Sequence, residues 1–260
     1  MVNTAIVGCN GKMGCFVAQA VQSREDCNVL FGVDAFGESN YDFDVFKTFD
    51  EATETPDVII DFSNPAALDG MLAYAVDNKV PCVICTTGFS KDQIAKIEDA
   101  AKTIPVFYSG NMSLGINLLI ELSKEAAKIL GNQFDIEIVE KHHNLKLDAP
   151  SGTALMIADG ISEQLDEDPQ YVYDRHSYRR KRSKNEIGIH SVRGGTIVGE
   201  HEVIFAGHDE VVTISHQAQS KEVFAVGAVN AAVFLKDQKA GMYNICLLYT
   251  SPSPRDGATS

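Results

Sequence analysis

The sequence lacks three features that would assign it to large classes of protein. No apolar run approaches the roughly 20 residues that a membrane helix needs, so we expect no membrane partner. Basic residues are scarce, with 22 Lys and Arg against 36 Asp and Glu and a formal net charge of -14, which argues against a nucleic-acid partner. The six cysteines form no paired framework, as expected where thiols stay reduced.

The beginning of the chain also lacks the basic segment of a secretory signal. Its first residues read as a strand and a turn, so secretion is not indicated and a cytoplasmic enzyme is the simpler expectation. The C-x-x-C formed by Cys82 and Cys85 lies inside an apolar run, where alternate side chains point to opposite faces of a strand. Without a second pair it is a weak zinc signal.

A glycine-rich turn follows the first apolar run. Residues 2–7 read as a strand, residues 8–14 form the turn G-C-N-G-K-M-G, and a helical pattern follows. Glycines let the backbone approach a pyrophosphate, whose charge is favoured at a helix N-terminus. A second apolar run ends at Asp34, at the offset where a carboxylate accepts hydrogen bonds from adenosine ribose hydroxyls. We therefore predict dinucleotide binding with NADH preferred, while Lys12 in the turn leaves NADPH possible.

Strand-like and helix-like runs keep alternating as far as residue 108. Apolar runs at 58–62, 80–85 and 105–108 alternate with helical patterns at 65–78 and 90–101, which predicts a parallel sheet with right-handed crossovers. We expect an α/β fold whose first part is a Rossmann-like dinucleotide-binding domain. Ligands bind at the carboxyl ends of such strands. The residues expected to face that crevice are Gly8, Asp34, Phe62, Thr86, Thr87 and Ser109.

The pattern changes after the S-G-N-M-S segment at 109–113, which we interpret as a hinge. A strong helical run at 114–130 precedes alternating strands at 134–140, 187–193, 202–205 and 211–217. These predict an α+β domain with a mixed sheet. An apolar helix at 220–235 is expected to pack back on the first domain. The predicted domains are 1–112 with 220–245 for the dinucleotide, and 113–219 for substrate binding.

Reactive side chains are concentrated in residues 140–154, E-K-H-H-N-L-K-L-D-A-P-S-G-T-A. Two imidazoles, an ammonium, a carboxylate and a Ser-Gly-Thr turn lie between a predicted strand and a predicted helix. Residues 175–184 form a basic island, which is either a solvated loop or an attractor for a substrate with several carboxylates. Arg193, followed by two glycines, could place a guanidinium against a carboxylate.

The last fifteen residues do not continue the domain pattern. Residues 246–256, C-L-L-Y-T-S-P-S-P-R-D, resemble the in-frame translation of a transposon-end adapter used in preparing sequencing libraries. We therefore expect 246–260 to be a non-native tail and exclude it from fold reasoning.

Taken together, these blocks closely resemble the 4-hydroxy-tetrahydrodipicolinate reductase (dihydrodipicolinate reductase) family of diaminopimelate and lysine synthesis. The block H-H-x-x-K-x-D-A-P-S-G-T beginning at His142 carries most of the specificity, supported by T-T-G at 86–88, S-G-N-M-S at 109–113 and R-G-G at 193–195. The resemblance spans about residues 1–245. It implies NAD(P)H-dependent reduction of a small dicarboxylate, without a metal, by a homotetramer.

The resemblance also implies roles for individual residues. His142 would be the proton donor or acceptor and Lys146 the proton donor, as suits an imidazole and an ammonium near a dicarboxylate. The implied substrate-binding residues are His143, Ser151, Gly152 and Thr153. The implied cofactor contacts are Gly8, Cys9, Asn10, Gly11, Lys12, Met13, Asp34, Cys85, Thr86, Thr87, Ser109, Gly110, Asn111 and Met112. Two positions depart from the family pattern: Cys85 replaces a glycine, and Lys221 replaces an arginine.

Three other interpretations stay open at this point. Ser151 could be a hydrolase nucleophile with His143 as base, although the sequence has no G-x-S-x-G elbow around it. His142, His143 and Asp148 could bind a metal, although adjacent histidines on a strand end point in opposite directions. The chain could also be an NAD(H)-binding redox sensor without turnover, which would not need Lys146.

Overall fold

Short, wholly apolar strands dominate the first part of the computed structural model, which describes residues 1–37 and 41–250. The chain divides into two compact units: Met1–Met112 together with the chain from Lys221 onward, and Ser113–Ser220. We call them unit 1 and unit 2. Within the described residues, no helix is long and apolar enough to cross a membrane.

Unit 1 contains a seven-stranded parallel sheet. Its strands are β1 (Val2–Val7), β2 (Cys27–Val33), β3 (Val45–Phe46), β4 (Val58–Asp61), β5 (Cys82–Ile84), β6 (Pro105–Tyr108) and β12 (Gly241–Tyr243). The order across the sheet is β12-β6-β5-β4-β1-β2-β3. The order reverses between β1 and β4, which is the topological switch point where doubly wound sheets bind ligands.

Helices cover both faces of this sheet because its strands are apolar on both sides. They are α1 (Lys12–Gln22), α2 (Leu68–Asn78), α3 (Lys91–Ala100), α6 (Glu222–Leu235) and α7 (Ile245–Thr250). Side chains of α1 and α6 pack with one buried cluster, and those of α2 and α3 with another. Successive residues of β1 alternate between the two clusters, since Ile6 belongs to one and Val7 to the other.

Unit 2 contains a five-stranded mixed sheet covered on one face by two helices. Its strands are β7 (Asp135–His142), β8 (Gln170–Val172), β9 (Glu186–Arg193), β10 (Gly199–Ala206) and β11 (Val211–Ala218), and its helices are α4 (Leu114–Leu130) and α5 (Gly152–Ser162). The order is β11-β10-β7-β9-β8. The strand β7 is central, antiparallel to β10 and parallel to β9. The helices pack on Ile136, Ile138, Val203 and Phe205.

The predicted fold class is confirmed, and most predicted elements lie within two residues of the observed ones. The helix predicted at 65–78 is instead a 3-10 turn at 65–67 followed by α2, with Pro65 in its first turn. The sequence did not predict β3, β8 and β12, which have only two or three residues each. The expected non-native tail lies outside the described residues from position 251 onward.

Candidate active site

In the glycine turn of unit 1, backbone segments approach one another so closely that residues with a side chain could not replace the glycines. Gly8 has a φ of +77°, and a Cβ on it would lie 2.7 Å from the Phe62 carbonyl oxygen. A Cβ on Gly14 would lie 2.1 Å from the Gly8 carbonyl oxygen. Gly11 caps α1 without any side-chain hydrogen bond. The helix therefore begins with backbone amides directed at the turn, which favours an anion such as pyrophosphate.

Asp34 lies at the end of β2, and local backbone amides fix its carboxylate. Asn10 N–H donates to Oδ2 and Phe36 N–H donates to Oδ1, each over 3.1 Å. A cavity of about 490 Å³ opens at the switch point, lined by Gly8, Asn10, Gly11, Asp34 and Phe62 among others. The glycine turn, the start of α1 and the fixed Asp34 carboxylate together fit a dinucleotide.

The other predicted cofactor residues occupy neighbouring strand ends. Ser63 N–H donates to Thr86 Oγ1 over 2.9 Å, which ties the loops after β4 and β5 together. Ser109 N–H donates to the Ile84 carbonyl over 3.2 Å and so ties the end of β6 to β5. Cys85, Thr86, Asn111 and Met112 are buried, Ser109 is half-buried, and Lys12, Thr87 and Gly110 are exposed. Cys9 is fully buried and Met13 packs against the core. These positions complete one rim of unit 1.

Asp61 is a buried carboxyl group in this rim that the sequence interpretation did not single out. It is 2% exposed and accepts the Ser63 hydroxyl over 2.5 Å and the Ser63 N–H over 3.0 Å. Burial raises the pKa of Asp61, and hydrogen bonds from Ser63 and Thr86 partly offset the effect. Asp61 therefore orients Ser63, which also lines the cavity.

In unit 2, the alternation of β7 places acidic and basic groups on the buried face of the sheet. Ile136, Ile138, Glu140 and His142 are buried in turn, while the residues between them are half-exposed. The first two enter the apolar core. The last two continue the same face toward the N-terminus of α5. Strand geometry thus delivers a carboxylate and an imidazole to one point.

Glu140 is fully buried, and its carboxylate contacts Arg193, His142 and Ser151. Arg193 binds it with both terminal nitrogens, over 2.8 Å to Oε2 and 2.7 Å to Oε1. His142 Nδ1 lies 2.5 Å from Oε2, and Ser151 N–H donates to Oε1 over 3.1 Å. Arg193 does bind a carboxylate, as the sequence suggested, but the carboxylate belongs to the protein. Parallel pairing of β7 with β9 sets His142 beside Arg193.

The charges of this cluster are set by competition between burial and pairing. Burial raises the pKa of Glu140, but hydrogen bonds from Arg193, Ser191 and His142 outweigh it and lower the pKa to about 2. For His142, burial lowers the pKa below its usual range, and contact with Glu140 compensates only in part. At neutral pH the pair is therefore a carboxylate and an uncharged imidazole.

The loop after β7 carries the remaining predicted groups. Lys146 Nζ lies 2.9 Å from Asp148 Oδ1, and the Lys146 side chain is 22% exposed. His143 is half-buried, and its Nδ1 has no hydrogen-bond partner among the described residues. Gly152 is exposed at the first position of α5 with no atom within 4 Å of a built Cβ. The helix start is thus open to a carboxylate.

Ser151 caps α5 and contacts a histidine that the sequence interpretation missed. Its Oγ accepts the Ala154 N–H over 3.1 Å and lies 3.1 Å from His201 Nε2. His201 faces Glu140 across the β7/β10 pair and packs edge-on to His142, with ring centroids 5.3 Å apart. Burial lowers the pKa of His201 to about 3. The alternation of β10, which places every second side chain on the buried face of the sheet, could have identified His201 from the sequence.

These positions weaken two of the alternative interpretations. The partner of Ser151 is His201 rather than His143, and Ser151 is only 2% exposed, so it is poorly placed as a nucleophile. His142 is buried on the inner face of the sheet, whereas His143 has left the strand. In the described part of the chain, no group of three or more His, Cys, Asp or Glu is placed to hold a metal ion.

Part of the basic island is neutralised inside unit 2. Arg175 bridges Glu137 and buried Glu186 over 2.7 and 2.9 Å. Arg182 binds Glu137 over 3.0 Å. Glu137 also contacts His190 Nε2 over 2.7 Å. The island is therefore anchored by protein carboxylates, which neither sequence interpretation anticipated.

The fold and the site define a two-domain, dinucleotide-dependent oxidoreductase. Family models extend this conclusion: the model for the dihydrodipicolinate reductase N-terminus matches residues 2–112, and that for its C-terminus matches residues 115–247. The chain belongs to the dihydrodipicolinate reductase family.

Individual relatives agree with the family models. The chain is 55% identical over 245 residues to the 4-hydroxy-tetrahydrodipicolinate reductase of Caldanaerobacter subterraneus subsp. tengcongensis, covering 94% of this chain and 97% of that protein. It is 48% identical to the Clostridium tetani enzyme of that name, covering 95% and 97%. Among solved structures, it resembles a dipicolinate-bound dihydrodipicolinate reductase from Paenisporosarcina sp. TG-14, with a TM-score of 0.76, 25% identity, and 94% and 97% coverage.

Proposed function

We propose that the chain catalyses the NAD(P)H-dependent reduction of 4-hydroxy-tetrahydrodipicolinate, by way of dihydrodipicolinate, to tetrahydrodipicolinate in diaminopimelate and lysine synthesis. Family membership over nearly the whole chain supports the reaction. The observation that carries the mechanism is the acid–base group of unit 2, where Lys146 pairs with Asp148, and Glu140 contacts both His142 and the N–H of Ser151, the cap of α5.

Unit 1 is proposed to hold the pyridine nucleotide. The turn between Gly8 and Gly14 would hold the pyrophosphate, and Asp34 would accept the adenosine ribose hydroxyls. A carboxylate there repels a 2'-phosphate, so we propose NADH as the preferred cofactor. When bound, the reduced nicotinamide supplies the hydride that the substrate gains at C4.

Unit 2 is proposed to hold the substrate and move the proton. The amides of Gly152 and Thr153 at the start of α5 would bind one substrate carboxylate, together with Ser151 and His143. The Lys146 ammonium would donate a proton to the substrate carbon that becomes electron-rich after reduction, and would regain that proton from solvent. His142 would lie beside it as the second acid–base group. Dehydration of the 4-hydroxy substrate precedes the reduction.

The proposal extends to assembly and location. Val192 on β9 and Val211 on the edge strand β11 are exposed on the sheet face that the helices do not cover, which supports association through the sheet of unit 2 into a homotetramer. Five cysteines are free thiols in the described part of the chain, which suits the cytoplasm. Light scattering coupled to size exclusion would give the oligomeric state.

A coupled assay tests the reaction. Dihydrodipicolinate synthase would generate the unstable substrate, and the loss of NADH absorbance would report turnover. We expect K146A and H142A each to lower kcat about 100- to 10,000-fold, as removal of an acid–base group does, while the Kd for NADH stays unchanged. Absence of turnover in the parent protein with intact NADH binding would instead favour the redox-sensor alternative.

A further inference from the structure

Hydrogen-bonding groups surround the Glu140 carboxylate. An ionised carboxylate accepts hydrogen bonds at about four lone-pair sites and donates none. Arg193 donates two hydrogen bonds to Glu140, the Ser151 N–H donates one, and the Ser191 side chain adds another. His142 Nδ1 lies 2.5 Å from Oε2. The bidentate guanidinium keeps the carboxylate ionised. The contact at 2.5 Å therefore requires a hydrogen on Nδ1 of His142.

We propose that Glu140, held by Arg193, is the positioning residue that fixes the ring proton of His142 on Nδ1 and leaves Nε2 bare. Partner groups select histidine tautomers in this way, because the hydrogen bond at one ring nitrogen decides the state of the other. The inference rests on the proposed function for its catalytic meaning. Its geometric content stands on the contacts of unit 2 alone.

The surroundings of Nε2 are consistent with an acceptor that stays available. A Cβ built on Gly199 would lie 3.2 Å from Nε2, so the glycine lets the ring nitrogen lie against the backbone of β10. Within the described residues, the protein hydrogen bond of the His142 ring is the one between Nδ1 and Glu140. The charged and titratable groups around the ring are Glu140 on β7, Arg193 on β9, His201 on β10 and Lys146 in the loop.

This tautomer divides the acid–base work between two residues. An imidazole with a bare Nε2 can accept a hydrogen bond or a proton at neutral pH, but it has none to give at that nitrogen. Lys146 is then the proton donor of the pair. The sequence left His142 as donor or acceptor, and the Glu140 contact selects the acceptor role.

The tautomer can be observed without turnover. In protein carrying 15N-labelled histidine, long-range proton–nitrogen spectra at neutral pH distinguish protonated from bare ring nitrogens, and the H142Q spectrum identifies the His142 signals. We expect Nδ1 protonated and Nε2 bare in the parent, and a mixed or inverted pattern in E140Q. A parent spectrum with Nε2 protonated would overturn the inference, whether or not the protein turns over substrate.

The pH profile of kcat/KM gives a second readout. Burial lowers the pKa of His142, and Glu140 partly offsets this effect. E140Q should therefore move the acid limb of the profile to lower pH. It should also lower the plateau of kcat/KM on the order of 100-fold. A folded E140Q protein whose acid limb and tautomer match the parent would contradict the proposal. Turnover absent from the parent, with the predicted tautomer present, would refute the proposed function and leave the positioning role standing.

The chain offers a matched control on the opposite face of β7. Glu137 also binds arginines and a histidine, Arg175, Arg182 and His190, but lies three residues away in the alternating pattern. E137Q should lower stability without moving the acid limb or the His142 tautomer. Because E140Q leaves a guanidinium without its counterion, E140Q/R193Q is the second variant, and we expect it to show the same change of tautomer.

Discussion

Removing the hydroxyl of Ser151 should lower both the stability of unit 2 and its affinity for a dicarboxylate. In S151A, α5 loses the cap on the Ala154 N–H, which costs about 1 kcal/mol, and buried His201 loses its partner at Nε2, which costs about 1–3 kcal/mol. At about 2–4 °C per kcal/mol, we expect the melting temperature to fall by roughly 5–15 °C.

The same change disturbs the open helix start. Gly152 and Thr153 follow Ser151 directly, so fraying of the first turn should weaken carboxylate binding by about 1–2 kcal/mol, or roughly 5- to 30-fold in Kd. Dipicolinate is a stable dicarboxylate probe. Isothermal titration calorimetry would give its Kd, and differential scanning fluorimetry would give the melting temperature.

A second capping serine provides the control. Ser113 accepts the Ile116 N–H at the start of α4 over 3.3 Å, and its Oγ lies 3.4 Å from His216 Nε2. S113A should therefore lose comparable stability while dipicolinate affinity stays near the parent value. Equal losses of affinity in S113A and S151A would refute the assignment of the α5 start as the carboxylate site.

Three further outcomes are expected. D34A should raise the Kd for NADH about 10- to 100-fold and bring it closer to the Kd for NADPH, as measured by fluorescence titration. If the ratio of the two Kd values is unchanged in D34A, Asp34 does not contact the cofactor. G14A should abolish NADH binding because its Cβ would meet the Gly8 carbonyl at 2.1 Å, whereas G70A, with no atom within 4 Å, should stabilise the protein by about 0.4–1 kcal/mol. Between pH 6.5 and about 3, His201 binds a proton in the unfolded chain but not in the native protein. The free energy of unfolding should therefore decrease by about 1.4 kcal/mol for each unit that the pH is lowered through this window. Urea titrations at several pH values would measure the decrease, and H201Q should make it smaller.

The sequence predicted features that depend on local patterns. The apolar run after Met1 and the glycines after β1 predicted the strand, turn and helix that the structure has at 2–22, because these elements follow one another within a few residues. The helix predicted at 90–101 is α3, which Ser90 begins in a capping box with Gln93. The strands β3, β8 and β12 were missed because two or three residues are too few to show a period, whereas the three-residue β5 lies within a longer apolar run.

What the sequence did not predict depends on strand register. The contact between Glu140 and Arg193 joins residues 53 positions apart, and that between Ser151 and His201 joins residues 50 apart. A slip of one residue in either strand pair would turn these side chains to the other face. The cluster that orients His142 therefore became visible only once β9 and β10 were paired with β7.

The order of the chain delays the completion of unit 1 during synthesis. Its helix α6 supplies Ala225, Ala228 and Val229 to the buried cluster that also contains Ile6 and Ile60, yet it is encoded after all of unit 2. At roughly 5–20 residues per second, the ribosome needs on the order of 10 seconds between the end of β6 and the end of α6. Throughout that interval one apolar face of the nascent sheet has no α6 to cover it, so we expect chaperone demand to depend on translation speed across residues 113–220.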